Sequence, residues 1–270
     1  MNRTIKLQVV SYLAPNWFCF YEAVLAYLNR VLGVKTQLKQ GECDPLEDPI
    51  LIQDQLDLAF ICGLPLIRYC QIVLDQLQPL VAPVMEAPRY QNSPVYFTDV
   101  VVNTASYLFS FDDLAGKRFC YNDPGSNSGY NLLRHWLFQR GNPKHFFGKV
   151  IQSGSHQRSI QWVVDGLADC AGIDSVVLEQ ELRDYPDLSR HLRVVETIGP
   201  CAMPPLVAAQ HLGASLIQQI KIALLHPDSE LQTAMTQVGV KRFAAVNLSE
   251  YKAIASIYNT VIQAGYEAIC

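Results

Sequence analysis

The chain is 270 residues long, half of them hydrophobic and 17% charged, with a net charge of −4. That length suits one large or two medium units, and a charged fraction below the roughly 25% of an average domain leaves material for a large core. A weakly acidic chain without interleaved basic and aromatic residues has no field for a polyanion, which excludes nucleic acid as a partner. No apolar run approaches the roughly 18 residues that a membrane-spanning helix needs.

Arg3 and Lys6 precede the strand-like Leu7-Gln8-Val9-Val10 rather than a long apolar stretch. The expectation is a cytoplasmic location as encoded, or a periplasmic one if a leader has been removed. From there, short apolar runs alternate with longer amphipathic ones: Ile5 to Val10, Trp17 to Leu32, Gly33 onward, and Leu56 to Ile61. This is the βαβ rhythm of a mostly parallel sheet, with Gly33 closing the first helix. Tyr12, directly after the first strand, stands as a ligand-contact candidate. Gln78 to Met85 and Val95 to Val102 read as further strands.

A second βα series starts at Asp113-Leu114-Ala115-Gly116-Lys117 with a strand over Arg118 to Tyr121 and a helix from about Ser126 to Arg140, stopped by Gly141 and Pro143. Lys149 to Gln152 reads as a strand, and a helix with Ile160, Val163, Val164 and Leu167 on one face follows. Asp169 to Ile173 is strand-like and Val176 to Leu182 helical. After Leu192 to Val195 the segment Pro200 to Pro205 breaks the pattern, and the remainder reads as mostly helical, including Ser215 to Leu225 and Ser249 to Ala264. Without a flexible linker, two lobes are expected to be joined by crossing strands near Val100 to Asn103 and Ile198 to Met203. Lobe one then comprises 1–99 and 203–270, and lobe two 100–202.

The eight cysteines show no C-x-x-C pair and sit mostly in apolar runs, as buried small hydrophobes do; free thiols suit a reducing compartment. The six histidines show neither close ligand pairing nor an H-E-x-x-H, so no metal and no cofactor is expected.

Three strand-to-helix junctions are unusually polar, and in open α/β sheets ligands bind at the carboxyl ends of strands. In Asn122-Asp123-Pro124-Gly125-Ser126-Asn127-Ser128-Gly129, glycines allow close backbone approach while free N–H groups and two hydroxyls offer donors to an oxyanion. Ser126 serves equally as a plain N-cap. Ser153-Gly154-Ser155-His156 puts a histidine in a first helical turn, where the dipole disfavours its charged form unless an anion is bound; a histidine at the core edge is the other reading. Asp174, ending a strand, is either a helix cap or an acceptor for a protonated oxygen or amine.

With Asp113-Leu-Ala-Gly-Lys117, Asp123-Pro-Gly-Ser-Asn-Ser-Gly-Tyr130, Ser153-Gly-Ser-His156 and the strand from Ala168-Asp169 to Asp174, the chain resembles the phosphate, phosphite and phosphonate substrate-binding proteins of ABC transporters. The resemblance implies an α/β, two-lobed type II periplasmic-binding-protein fold. Each lobe would be a mixed, mostly parallel sheet flanked by helices, with the ligand in the inter-lobe cleft. It implies Ser126, Asn127, Ser128 and Gly129 as anion cradle, His156 and Asp174 as pocket residues and Tyr96 as a lobe-one tyrosine. Asn127 stands where the family has Thr, which makes the middle donor an amide. The implied partners are a small oxyanion and an ABC-transporter permease, with the chain a monomer and not an enzyme. A hydrolase triad of Ser128, His156 and Asp174 lacks the nucleophile elbow, because Asn127 occupies the centre of Gly125-Ser-Asn-Ser-Gly129. A cytosolic enzyme on the same fold, similar to menaquinone- or thiamine-precursor proteins, and an anion sensor are the alternatives.

Overall fold

The computed structural model describes residues 5–141 and 145–269. The described strands are β1 (Lys6–Ser11), β2 (Lys35–Gln40), β3 (Leu58–Phe60), β4 (Leu77–Met85), β5 (Val95–Asn103), β6 (Arg118–Tyr121), β7 (Lys149–Gln152), β8 (Cys170–Asp174), β9 (Leu192–Ala202), β10 (Leu206–Ala209) and β11 (Val240–Ala245). They form two sheets, ordered β11-β4-β10-β3-β1-β2 and β7-β6-β8-β5-β9. The chain divides into two compact units: the residues up to Val95 with Ala202–Lys252, and Tyr96–Cys201 with the segment from Ala253 onward.

In the first unit β1 pairs in parallel with β2 and β3, while β10 and β11 return antiparallel against β3 and β4. This sheet is mixed, as expected, with antiparallel pairings outnumbering parallel ones three to two. The helix Phe18–Leu32 buries Phe20, Tyr21, Val24, Leu25 and Leu28, an i, i+4, i+8 stripe, and ends at Gly33 with φ 66°. In the second unit β6 runs parallel to β7 and β8, and β5 is antiparallel to β8 with Thr98 opposite Asp174. Ile160 and Val163 pack on Val101, Cys120, Ala171 and Ile173, which seats the helix His156–Val164 on this sheet.

Strands β10 and β11 lie in the stretch expected to be mostly helical, and two further features depart from the expected layout. The strand β9 runs on through Pro200, which an edge position tolerates because an edge strand leaves one row of N–H groups without a ladder partner. The C-terminal segment joins the second unit instead of lobe one. Its attachments are specific: Arg134 Nη1 donates to the Glu267 carbonyl at 2.6 Å, the Ile269 N–H donates to Tyr130 Oη at 2.9 Å, and Tyr266 stacks near Phe138.

Candidate functional site

Because β7, β6 and β8 are adjacent and parallel, their C-terminal ends share one edge of the second sheet. Each ends in one of the three polar junctions. Tyr96 and Thr98, at the start of the antiparallel β5, come to the same edge, with Thr98 registered against Asp174.

After β6 the backbone turns at Ser126 into a π-helical turn, Asn127–Asn131, continuous with the helix Leu132–Gln139. Ser126 is the N-cap: its Oγ accepts the Gly129 N–H at 3.0 Å. Its carbonyl accepts from the Asn131 N–H, five residues on. An i→i+5 register postpones the first intrahelical bond by one residue relative to an α-helix, which adds one donor to the N–H groups left without a helical partner at the start. Ser126, Asn127 and Ser128 are all buried.

At Gly129 a Cβ would collide with the Asn122 side-chain oxygen, which would have to move, and lie 3.1 Å from His156 Cε1. The sheet comes close from below: a Cβ on Gly172 would lie 3.3 Å from Thr98 Cγ2 and in van der Waals contact with the Ser128 and Gly129 carbonyls. The turn therefore rests directly on the sheet, fixed by Thr98 Oγ1 donating to the Ser128 carbonyl at 2.8 Å.

Ser128 Oγ lies 3.2 Å from His156 Nε2. His156 is buried, and burial holds its pKa down to about 4, so the ring is neutral at pH 7. Its Nδ1 is buried without a hydrogen-bond partner, as is Asn122 Oδ1. Asp174 caps the helix Ser175–Asp184 through the Val176 N–H at 2.9 Å. Burial pushes its carboxyl up to about 7, with Asp99 and Glu179 adding to the rise and the Val176 and Val177 N–H groups opposing it. This edge thus holds a neutral imidazole, a carboxyl near its midpoint at neutral pH, and a rim of N–H and O–H donors.

Ser126, Asn127, Ser128, Gly129, His156, Asp174 and Tyr96 all belong to the second unit; Tyr12 belongs to the first. Tyr96 is therefore not a lobe-one residue. It is fully buried, and its hydroxyl accepts from Asn127 Nδ2 at 2.7 Å, which ties it to the turn. Asn127 differs from the expected amide donor to a ligand, since Nδ2 also donates to Cys201 Sγ and Oδ1 accepts from Asn131 Nδ2 at 2.9 Å. Its amide fastens the turn from within. Tyr12 Oη donates to Asp48 Oδ2 at 2.7 Å, and burial followed by that carboxylate drives its pKa up.

Sequence reasoning missed Asn131 and Arg134. With Asn127 they fall at i, i+4 and i+7 on one helical face beside the buried Leu132, Leu133 and Leu137. A polar stripe at apolar spacing is the signal that was present.

The sequence profile of a family described as "ABC transporter, phosphonate, periplasmic substrate-binding protein" matches residues 17–251. The chain is 26% identical over 165 residues to the probable ABC transporter phosphite binding protein PhnD1 of Prochlorococcus marinus (strain MIT 9301); the match covers 58% of this chain and 56% of that protein, little more than half its length. Among solved structures, a binding protein component of an ABC phosphonate transporter from Pseudomonas aeruginosa superposes with a TM-score of 0.82 at 16% identity, covering 94% of this chain and 86% of the other. PhnD1 from Prochlorococcus marinus (MIT 9301), solved in complex with methylphosphonate, gives 0.81 at 20% identity, covering 95% and 98%. At these identities the likeness establishes the fold, that of the type II periplasmic binding proteins. No helix among the described residues is long and apolar enough to cross a membrane.

Proposed function

This chain belongs to the periplasmic substrate-binding proteins of phosphonate ABC transporters, and on that premise we propose that it captures a small tetrahedral oxyanion, a phosphonate or phosphite, at the shared edge of β7, β6 and β8 and presents it to a permease. The observation that carries this reading is the buried Ser128–His156 contact beside a donor-rich turn.

A neutral imidazole cannot attract the anion by charge, so its contribution is orientation. In the tautomer protonated at Nε2, His156 donates to Ser128 Oγ, and the single hydroxyl hydrogen of Ser128 is then directed to the ligand. Asp174 is the selective element. Near its midpoint it shares one proton with the ligand, either accepting from a P–OH or donating to an oxyanion, and repels a fully ionised group once that proton is gone. Micromolar capture requires about 8 kcal/mol, within reach of several charge-assisted hydrogen bonds to a desolvated anion.

Binding without chemistry fits the rest of the geometry. A serine nucleophile needs its histidine held at the far nitrogen by an acid, whereas His156 Nδ1 has no partner and Asp174 is engaged with the Val176 N–H. The test is calorimetry and thermal shift with phosphate, phosphite, methylphosphonate, aminoethylphosphonate and sulfate. Ser128→Ala and His156→Ala are each expected to weaken the preferred ligand at least several-fold. An unchanged affinity in both variants would sink the site, and no stabilisation by any oxyanion would sink the function.

A further inference from the structure

Behind the donor-rich turn runs a continuous file of buried side chains. Asn127 Nδ2 holds Tyr96 Oη and Cys201 Sγ, Asn127 Oδ1 accepts from Asn131 Nδ2, and Asn131 Oδ1 accepts from Arg134 Nη2 at 3.0 Å. Arg134 Nη1 then donates to the backbone carbonyl of Glu267 at 2.6 Å. Arg134 is 4% exposed, with its guanidinium 5.8 Å from the Tyr130 ring and 5.2 Å from the Tyr258 ring. A second fastening lies alongside, where the Ile269 N–H donates to Tyr130 Oη within the π-turn itself. Both fastenings end on the last few residues of the chain.

We infer that the C-terminal tail, acting through Arg134, Asn131 and Asn127, holds the donor-rich turn in its binding geometry and thereby sets its affinity for the anion, an inference that rests on reading this turn as the anion cradle. Three features give the file this role. The bonds from Tyr96 and Cys201 through to Arg134 are buried and the one to the Glu267 carbonyl partly so, and a donor or acceptor removed from the buried stretch leaves an uncompensated partner. A π register has poorer internal hydrogen bonding than an α-helix and depends on outside contacts for its shape. The tail offers a backbone carbonyl to a cation, and no other side chain of the file is charged, so the guanidinium's fork is what joins Asn131 to the tail.

Asn131, Arg134 and the tail are thus positioning residues that need not touch the ligand. Three variants of the full chain separate the steps. Arg134→Lys keeps the charge but loses the fork. Asn131→Asp keeps an acceptor for Arg134 but cannot donate to Asn127 Oδ1. Deletion of Tyr266 to Cys270 removes the tail's contacts outright. Methylphosphonate affinity by calorimetry is expected to fall about tenfold in Arg134→Lys and in Asn131→Asp. Amide exchange without ligand is expected to speed up across Asn127 to Leu132 in Arg134→Lys and in the deletion, while amides of β1 and β3 in the first unit stay protected. Affinity within twofold of wild type in both point variants, or unaltered exchange across the turn, overturns the proposal. If wild type binds no oxyanion at all, the cradle reading itself is what fails, and the exchange data still report whether the tail holds the turn.

Discussion

The two units treat polarity in opposite ways. Among the described residues, Ser11 and Asp48 are the buried polar or charged side chains of the first unit, whereas the second has fifteen, Asn122, Ser126, Asn127, Ser128, His156 and Asp174 among them. The same contrast holds at matching strand ends. After β3 the helix Gly63–Ile72 opens on buried Gly63, Leu64, Pro65 and Leu66 and has no side-chain cap. After β6 the turn opens on serine, asparagine, serine and glycine, capped by Ser126. Burying polar groups costs free energy unless each is paired, and the second unit carries most of that demand.

The strongest way to break this contrast is a methyl group. Gly129→Ala places a Cβ against Asn122 and His156 and is expected to lower unfolding stability by about 2 kcal/mol and reduce oxyanion affinity more than tenfold. Its counterpart Gly33→Ala meets open space and costs only the strain of a positive φ, about 1 kcal/mol, with affinity unchanged. Equal losses of affinity in the two variants would dissolve the distinction.

Tyrosine removal gives a smaller separation. Tyr96→Phe strips a partner from the buried Asn127 amide, at about 1–3 kcal/mol in denaturant titration. Tyr12→Phe leaves Asp48 still accepting the Ile50 N–H, and about 1 kcal/mol or less is expected.

Each unit holds a group whose pKa is raised, and the two are told apart by what they govern, ligand affinity in one and stability in the other. Asp174 has its pKa raised to about 7, so the proton it shares with a bound anion is present below pH 7 and lost above it. Methylphosphonate affinity should therefore decline from pH 6.5 to 8.5, by as much as about tenfold per unit at the top of the range. Asp174→Asn should lessen that decline; the ratio of the two affinities cancels the ligand's own titration, and a ratio independent of pH would remove Asp174 from the site. In the first unit His211 lies between Asp54 and Asp57, at 3.1 and 3.0 Å, and its pKa is raised chiefly by the bond to Asp57. Its contribution to stability is complete below the ordinary histidine pKa of about 6.5 and fades as pH climbs through the raised value. The ring is partly exposed, so the effect should stay below about 1 kcal/mol. A His211→Gln chain as pH-sensitive as wild type in thermal unfolding would refute it.

Much of the second unit's outline was readable in advance because its elements announce themselves locally. Lys149–Gln152 and Arg118–Tyr121 are short apolar-polar strands between turn residues, and Ser126, Ser155 and Asp174 are side-chain caps. The strand β11, Val-Lys-Arg-Phe-Ala-Ala, escaped because only Val240 and Phe243 are buried and no β-branched run marks it. The π-turn escaped as well, its register being selected by contacts to Thr98, Tyr96 and Cys201 far away in sequence. The inward use of Asn127 and Tyr96 was hidden for the same reason. A side chain's type shows that it can donate, and only the packing shows to whom.

A π-turn is an α-helix carrying one residue more than its length requires, with the surplus absorbed locally and the flanking turns left in phase. Removing one residue between Asn127 and Gly129 would return this start to ordinary α register while leaving Arg134 seated against Tyr258 and the tail. A change of one residue in the length of this turn would therefore alter its free N–H groups without calling for any change at the back of the helix.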